Sequence, residues 1–465
     1  MFRISSALAL CALGLFTTVG RAQTTPAVST ILALSQSSPV GNLVKGADGA
    51  LYGTSATSTS LTGGLIYRST VDGSDVRTLY QLTADDAVSP GSGLTLAGDG
   101  LLYGTTRFGK SGEVAGAGTV FRISPTGDGF QIVYRFDAVT GSNQDQNPKN
   151  VNGAYPEAEL TEGADGYLYG VARAGGPNGT GTIFKLNRDG TDFKLLRSFG
   201  PVTSAANSGL TVTADGAAPT GQLVRGADDF FYGTTSQGGS NGRGVVFRIA
   251  FDGTGFQVLH QFSATTKDAT TGQLENPDGA APLSGLADGG DGFFYGTTSQ
   301  GGVDGYGVLF AIPADGSTFT VLHAFNNANG ARPSAELMVA GDGKLYGTTS
   351  GGGVNSSGAT TTLGTMFSID RAGTNFTRLY SFDGASGSTP ASRLLELSSG
   401  VFVGSASSGG SCGSGTLYRY SVAGDTVTGN TRCGRRRNNN SGGGSTGFGV
   451  LLLLGGLAWS RRRFG

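Results

Sequence analysis

One unit is written seven times along this chain. A proline, three residues and a leucine recur as Pro39/Leu43, Pro90/Leu94, Pro156/Leu160, Pro219/Leu223, Pro282/Leu286, Pro333/Leu337 and Pro390/Leu394. Nine residues beyond each leucine stands an aromatic or apolar residue followed by glycine: Tyr52-Gly53, Tyr103-Gly104, Tyr169-Gly170, Tyr232-Gly233, Tyr295-Gly296, Tyr346-Gly347 and, in a degenerate last copy, Val403-Gly404. Chance does not place seven such registers, and a fixed long period is the mark of solenoids, propellers and arrays. The chain therefore reads as one repeat domain rather than the two or three domains its 465 residues could hold.

Each copy carries four strand patterns. In the fourth these are Gln222–Arg225, Phe230–Thr235, Val245–Ala250 and Phe256–Phe262, with Asp228-Asp229 and Asp252-Gly253 turning the chain. Other copies place Asp-Gly at the first turn, at Asp48, Asp99, Asp165, Asp291 and Asp342. Asp-Gly between apolar runs is a strong hairpin pattern, because glycine takes positive φ freely and aspartate tolerates it. No helical period is sustained outside the two ends.

A single four-stranded unit cannot bury both faces of its sheet, but stacked units cover one another. The fold class expected is all-β: a seven-bladed β-propeller of four-stranded antiparallel blades. Ser29 to Leu34 resemble a fourth strand without a unit of its own, and the residues after Tyr420 match strand four poorly. The N-terminal strand is thus expected to complete the last blade and close the ring. The recurring Leu43, Leu94, Leu160, Leu223, Leu286, Leu337 and Leu394, with the six tyrosines and Val403, form the expected core. An open β-solenoid is the alternative.

Both ends read as addresses. Residues 1–22 combine Arg3, a short apolar run and Gly20-Arg21-Ala22, the pattern of a secretory signal cleaved between Ala22 and Gln23 by signal peptidase. The repeat domain then covers 23–433. Residues 434–445 form a polar Arg/Asn/Gly linker, and 446–465 an apolar run closed by Arg461-Arg462-Arg463. That run is shorter than the ~20 residues a perpendicular span needs, so membrane contact is expected to be transient. After signal removal Cys412 and Cys433 remain, and an oxidising compartment favours a disulfide between them.

Both the tail and the repeats carry a resemblance. Gly442-Gly443-Gly444-Ser445, the apolar run and the terminal arginines resemble the GlyGly-CTERM sorting signal of Gram-negative bacteria. This implies cleavage near those glycines by a rhomboid-type protease, rhombosortase, and export to the cell surface or medium, commonly by type II secretion through the periplasm. The repeats, as in Leu102-Tyr103-Gly104-Thr105-Thr106 and then Gly118 to Phe121, resemble the GloVer tandem-repeat family. The first, third and seventh copies depart from Thr-Thr. That family pairs such repeats with varied C-terminal anchors and implies no established activity.

Few residues of this chain are arranged for chemistry. His260 and His323 occupy equivalent strand-four positions where other copies have Tyr80, Tyr134, Arg197 or Tyr380, which marks a blade surface rather than a general base. No nucleophile elbow, zinc motif, calcium loop or phosphate cradle is present, and no cofactor or metal is expected. A net charge of −1 gives no reason to expect nucleic acid. Carboxylates stay open: Glu157, Glu159 and Glu162 cluster in copy three, and a glycosidase needs only two.

Long loops on a rigid scaffold usually carry binding residues. The longest connections are 137–155, 200–218 and 263–281, on the face opposite the Asp-Gly turns. Candidate ligand-binding residues there are Asn143, Asp145, Asn147, Asn152, Tyr155, Glu157, Asp268, Asn276 and Asp278. The expectation is a surface or secreted module that binds polysaccharide or protein. A carbohydrate-active hydrolase or lyase using face carboxylates, and a structural matrix component, are the alternatives.

Overall fold

Short apolar runs separated by Asp-Gly turns fold as successive antiparallel hairpins. The computed structural model describes residues 26–34, 37–56, 63–83, 85–86, 88–109, 116–140, 148–203, 210–429 and 431, all within the compact unit Met1–Cys433. The signal, Ala22 and Gln23, Asn143, Asp145, Asn147, Cys433 and the tail with Gly442, Gly443, Gly444 and Ser445 lie outside the described residues.

Each copy of the repeat builds its own sheet. The fourth runs Val224–Arg225, Phe230–Thr235, Val245–Ala250 and Gln257–Gln261, hydrogen-bonded in that order. Its first strand is shorter than the sequence suggests. Pro219 has no N–H for a ladder, and a Cβ on Gly221 would meet the backbone of Ser284 and Gly285, so this stretch leans on the next copy instead. Between strands three and four the register slips by one residue at the same point in six copies, as between Val246 and Phe247. Such bulges increase twist. The N-terminal strand Ala27–Ala33 pairs antiparallel with Thr416–Ser421, the third strand of the last copy.

The repeat motif is a set of interlocking contacts. The aromatic ring of Gly-x-x-Phe lies over the glycine of Tyr-Gly: a Cβ on Gly233 would come 2.6 Å from Phe247 Cζ and 3.0 Å from Leu223 Cδ2. The glycine of Gly-x-x-Phe faces the next copy. A Cβ on Gly64, Gly118, Gly181, Gly244, Gly307 or Gly364 would lie 2.5–3.0 Å from Cδ of the next motif proline, and Gly415 of the last copy meets Pro39 of the first in the same way, at 2.7 Å. The first threonine of Tyr-Gly-Thr-Thr donates across copies, Thr54 to Ser92 O and Thr234 to Ser284 O, each at 2.7 Å. The second closes its own sheet, Thr235 donating to Gln237 O and accepting from Val245 N.

The turn aspartate has a second task. The tyrosine of strand two is buried with its hydroxyl donating to that aspartate, as Tyr103 to Asp99 at 2.8 Å and Tyr232 to Asp228 at 2.7 Å. Burial, reinforced by the neighbouring carboxylate, pushes Tyr103, Tyr232 and Tyr295 up to about 12. All fourteen repeat-core side chains named from the sequence are at most 5% exposed. They fall into apolar clusters that each join two consecutive copies. A further cluster joins Ile31, Leu32, Val403 and Leu417 to Leu43, Leu51 and Tyr67, the last copy to the first.

Strand four explains why His, Tyr and Arg interchange there. Each flat group stacks 3.5–4.2 Å from the phenylalanine that opens strand four of the next copy: Tyr80 on Phe130, Tyr134 on Phe193, Arg197 on Phe256, His260 on Phe319 and His323 on Phe376. Each is planar, and its polar end meets a side chain of the loop that follows: Tyr80 with Asp86, Tyr134 with Asn152, Arg197 with Asp215, His260 with Asp278, His323 with Asn329 and Tyr380 with Ser386.

Candidate functional site

The segments that lead into the first strands converge. In six copies the residue before the motif proline takes a left-handed conformation, with φ of 53–62° at Ser89, Tyr155, Ala218, Ala281, Arg332 and Thr389. Five of these donate their N–H to the preceding copy, as Ala281 to Arg243 O and Arg332 to Tyr306 O. The left-handed residue turns the chain, and the proline then fixes it against the glycine of that copy. The residues just after the proline, from all seven copies, line one cavity of about 190 Å³.

The cavity is polar. Its charged groups are Glu157 and Glu159 of copy three and Glu336 of copy six, with Arg393 of copy seven reaching Glu336 Oε1 at 3.2 Å. Glu159 is held by copy one: Asn42 donates its backbone N–H to Oε1 at 2.8 Å and its amide to Oε2 at 3.1 Å. Asn42 in turn accepts from Arg393 N at 2.6 Å. Copies one, three, six and seven are thus joined in one polar network. Burial raises Glu159 and Glu336 above the usual carboxylate range, with Arg393 opposing. Glu336 holds Arg393 in its charged form.

Of the residues expected on the long-loop face, Glu157 lines this cavity. It pairs with Arg107 at 2.8 Å and Arg173 at 3.7 Å, both more than a third exposed. Tyr155 is half-buried, its ring edge-on to Phe108. Asn152 is buried, accepting from Asp137 N and donating to the Tyr134 hydroxyl. Asn276 ties its loop to the Gly-Gly loop, donating to Ser263 O and Gly279 O and accepting from Gly279 N and Gly302 N. Asp278 is buried enough to disfavour its charge, but His260 and Ser263 outweigh that and hold it below the usual range. Asp268 accepts from Thr270 N and Thr271 N at an exposed turn. The loop around it is a hairpin, Thr266–Lys267 paired with Leu274–Ala280, rather than an irregular connection. These side chains brace loops, and among the described candidates only Glu157 joins the cavity.

Sequence reasoning missed Asn42, Thr220, Gln222, Glu336 and Arg393. The trace was available in the repeat register. The position before each motif leucine reads Asn42, Gly93, Glu159, Gln222, Gly285, Glu336 and Arg393, polar or glycine in every copy.

The fold and its motifs define an all-β, β-propeller-like tandem-repeat protein. The model of the Gloeobacter/Verrucomicrobia repeat matches residues 15–212, 145–276, 211–358 and 268–452. This chain belongs to that family. No curated protein matches it. Among solved structures, a GH74 enzyme of Niastella koreensis shares 14% identity at a TM-score of 0.51, over 81% of this chain and 52% of that one. The extracellular domain of a protein described as a hybrid two-component system of B. thetaiotaomicron shares 11% at 0.50, over 85% and 39%. This chain therefore spans about half of the first and less of the second. At these identities the likeness is one of fold alone.

Proposed function

We propose that the chain is a seven-bladed propeller closed by its N-terminal strand, exported, and acting at the cell surface or beyond as a binding module for polysaccharide or protein. The observation that carries the binding reading is the convergence of all seven lead-in segments on one polar cavity, directly after the long loops of copies three to five. The closed ring is supported by the contact of Gly415 with Pro39 and the cluster joining last copy to first. Export rests on the terminal patterns, with signal peptidase and a rhomboid-type protease as processing partners. In that oxidising setting Cys412 pairs with Cys433, close to the start of the linker.

A hydrolase or lyase is the second reading, favoured by one feature: two buried carboxylates of raised pKa on the same cavity. Calorimetric titration of the purified protein with a panel of surface polysaccharides separates the two. Saturating heat supports the binding module. Sustained heat after each injection supports turnover and removes the non-enzymatic reading. Silence across the panel removes polysaccharide as the ligand.

A further inference from the structure

We infer that the axial cavity is the ligand pocket of this module, and that it takes a single sugar unit rich in hydroxyl and amino donors while turning away uronates. This rests on the binding-module reading above and adds the place and the chemistry.

The free charged group lining the cavity is an acceptor, and the free neutral groups beside it can accept as well as donate. Glu336 has a side chain only 9% exposed and one protein partner among the described residues, Arg393 on Oε1; its Oε2 receives no protein donor. Thr220 Oγ1 is buried without a partner. Gln222 spends one amide N–H on Leu160 O, which leaves its second N–H and its carbonyl oxygen open. The two nearest strong donors already face carboxylates: Asn42 gives its backbone and amide N–H to Glu159, and Arg393 turns its guanidinium to Glu336. A buried acceptor without a donor is costly, and a charged one more so. An occupant that brings donors relieves that cost.

Charge and size narrow the occupant. Glu157 is neutralised from outside by Arg107 and Arg173. Inside, Glu159 and Glu336 face the single Arg393, so the pocket carries an excess of negative charge. An ammonium is attracted and a carboxylate repelled. The volume of about 190 Å³ corresponds to about six waters at ~30 Å³ each. That suits one ring rather than a stretch of polymer, so a glycan would enter by its end.

The test is calorimetry on the whole exported protein with three probes, glucosamine, glucose and glucuronic acid, beside the polysaccharide panel. Glucosamine is expected to bind most tightly and glucuronic acid to give no saturable heat. Glu336→Gln should weaken glucosamine about tenfold or more, the scale of a lost charge-assisted hydrogen bond, while keeping a single cooperative melting transition. If that variant does not fold, Thr220→Val removes the orphan hydroxyl and should weaken glucosamine several-fold. Glucuronic acid binding as tightly as glucosamine overturns the inference. So does displacement of glucosamine by calcium at equal concentration, which would mark a cation site. Polysaccharide binding that no monosaccharide mimics and Glu336→Gln leaves intact overturns the pocket but spares the binding module. Silence from every probe overturns the pocket and, with it, the polysaccharide-binding reading.

Discussion

Gly233→Ala tests whether the repeat motif is a steric lock. The position lies within strand two, and its backbone suits any residue, so alanine brings no conformational strain. What it brings is a methyl 2.6 Å from Phe247 Cζ and 3.0 Å from Leu223 Cδ2. Phe247 is fully buried, with Phe199 and Phe256 packed at ring distances of 5.7 and 5.4 Å, so its ring has no open space to swing into. Overpacking of this kind costs about 1–3 kcal/mol. With an unfolding entropy of about 2.1 cal/mol/K per residue over roughly 400 residues, 2 kcal/mol lowers Tm by about 2–3 °C. Calorimetry of the variant should show that shift. Phe247→Leu alone should also destabilise by leaving a void, yet in the Gly233→Ala background it vacates the colliding atoms, so the two losses should fall short of their sum by more than ~0.5 kcal/mol. Gly343→Ala is the contrast: nothing lies within 4 Å of its Cβ, but its φ of +83° costs alanine about 1 kcal/mol. Strict additivity of Gly233→Ala and Phe247→Leu would refute the lock.

Three further outcomes are expected. Deleting residues 26–34 removes the partner of Thr416–Ser421 and opens a sheet edge, so size-exclusion chromatography should show larger species than the intact protein forms; an elution and Tm unchanged from the intact protein count against ring closure. Glu336 has its folded pKa raised above its ordinary value, so it binds a proton more tightly when folded. Its contribution is favourable below the unfolded pKa and is lost as pH rises through the folded one. The Tm of wild type relative to Glu336→Gln should therefore rise as pH is lowered from 7 toward 5, and a difference independent of pH contradicts the burial argument. Trp459 is the sole tryptophan, so a protein that has lost its C-terminal run should show no tryptophan emission; emission from the washed exported protein rejects tail removal.

The division between what could be read from sequence and what could not mirrors the symmetry of the molecule. Repeated contacts leave a column in the sequence, and Pro-x3-Leu in every copy, with Tyr-Gly-Thr-Thr and Gly-x-x-Phe in most, are such columns because each residue meets its counterpart in the same copy or the next. The strands Phe230–Thr235 and Val245–Ala250 fall where the pattern puts them. The N-terminal strand was legible for the complementary reason: the last copy lacks a fourth strand, and Ala27–Ala33 is that strand displaced to the other end of the chain. The cavity is different. Its groups are equivalent in place but not in kind, since a cavity lined by every copy needs each polar group only once. Glu159 stood out because Glu157 and Glu162 flank it, whereas Glu336 and Arg393 each stand alone in sequence and meet only where copies six and seven adjoin. In a repeat protein the scaffold is therefore found where copies agree, and the candidate site at the structural column where they disagree, the residue before the motif leucine.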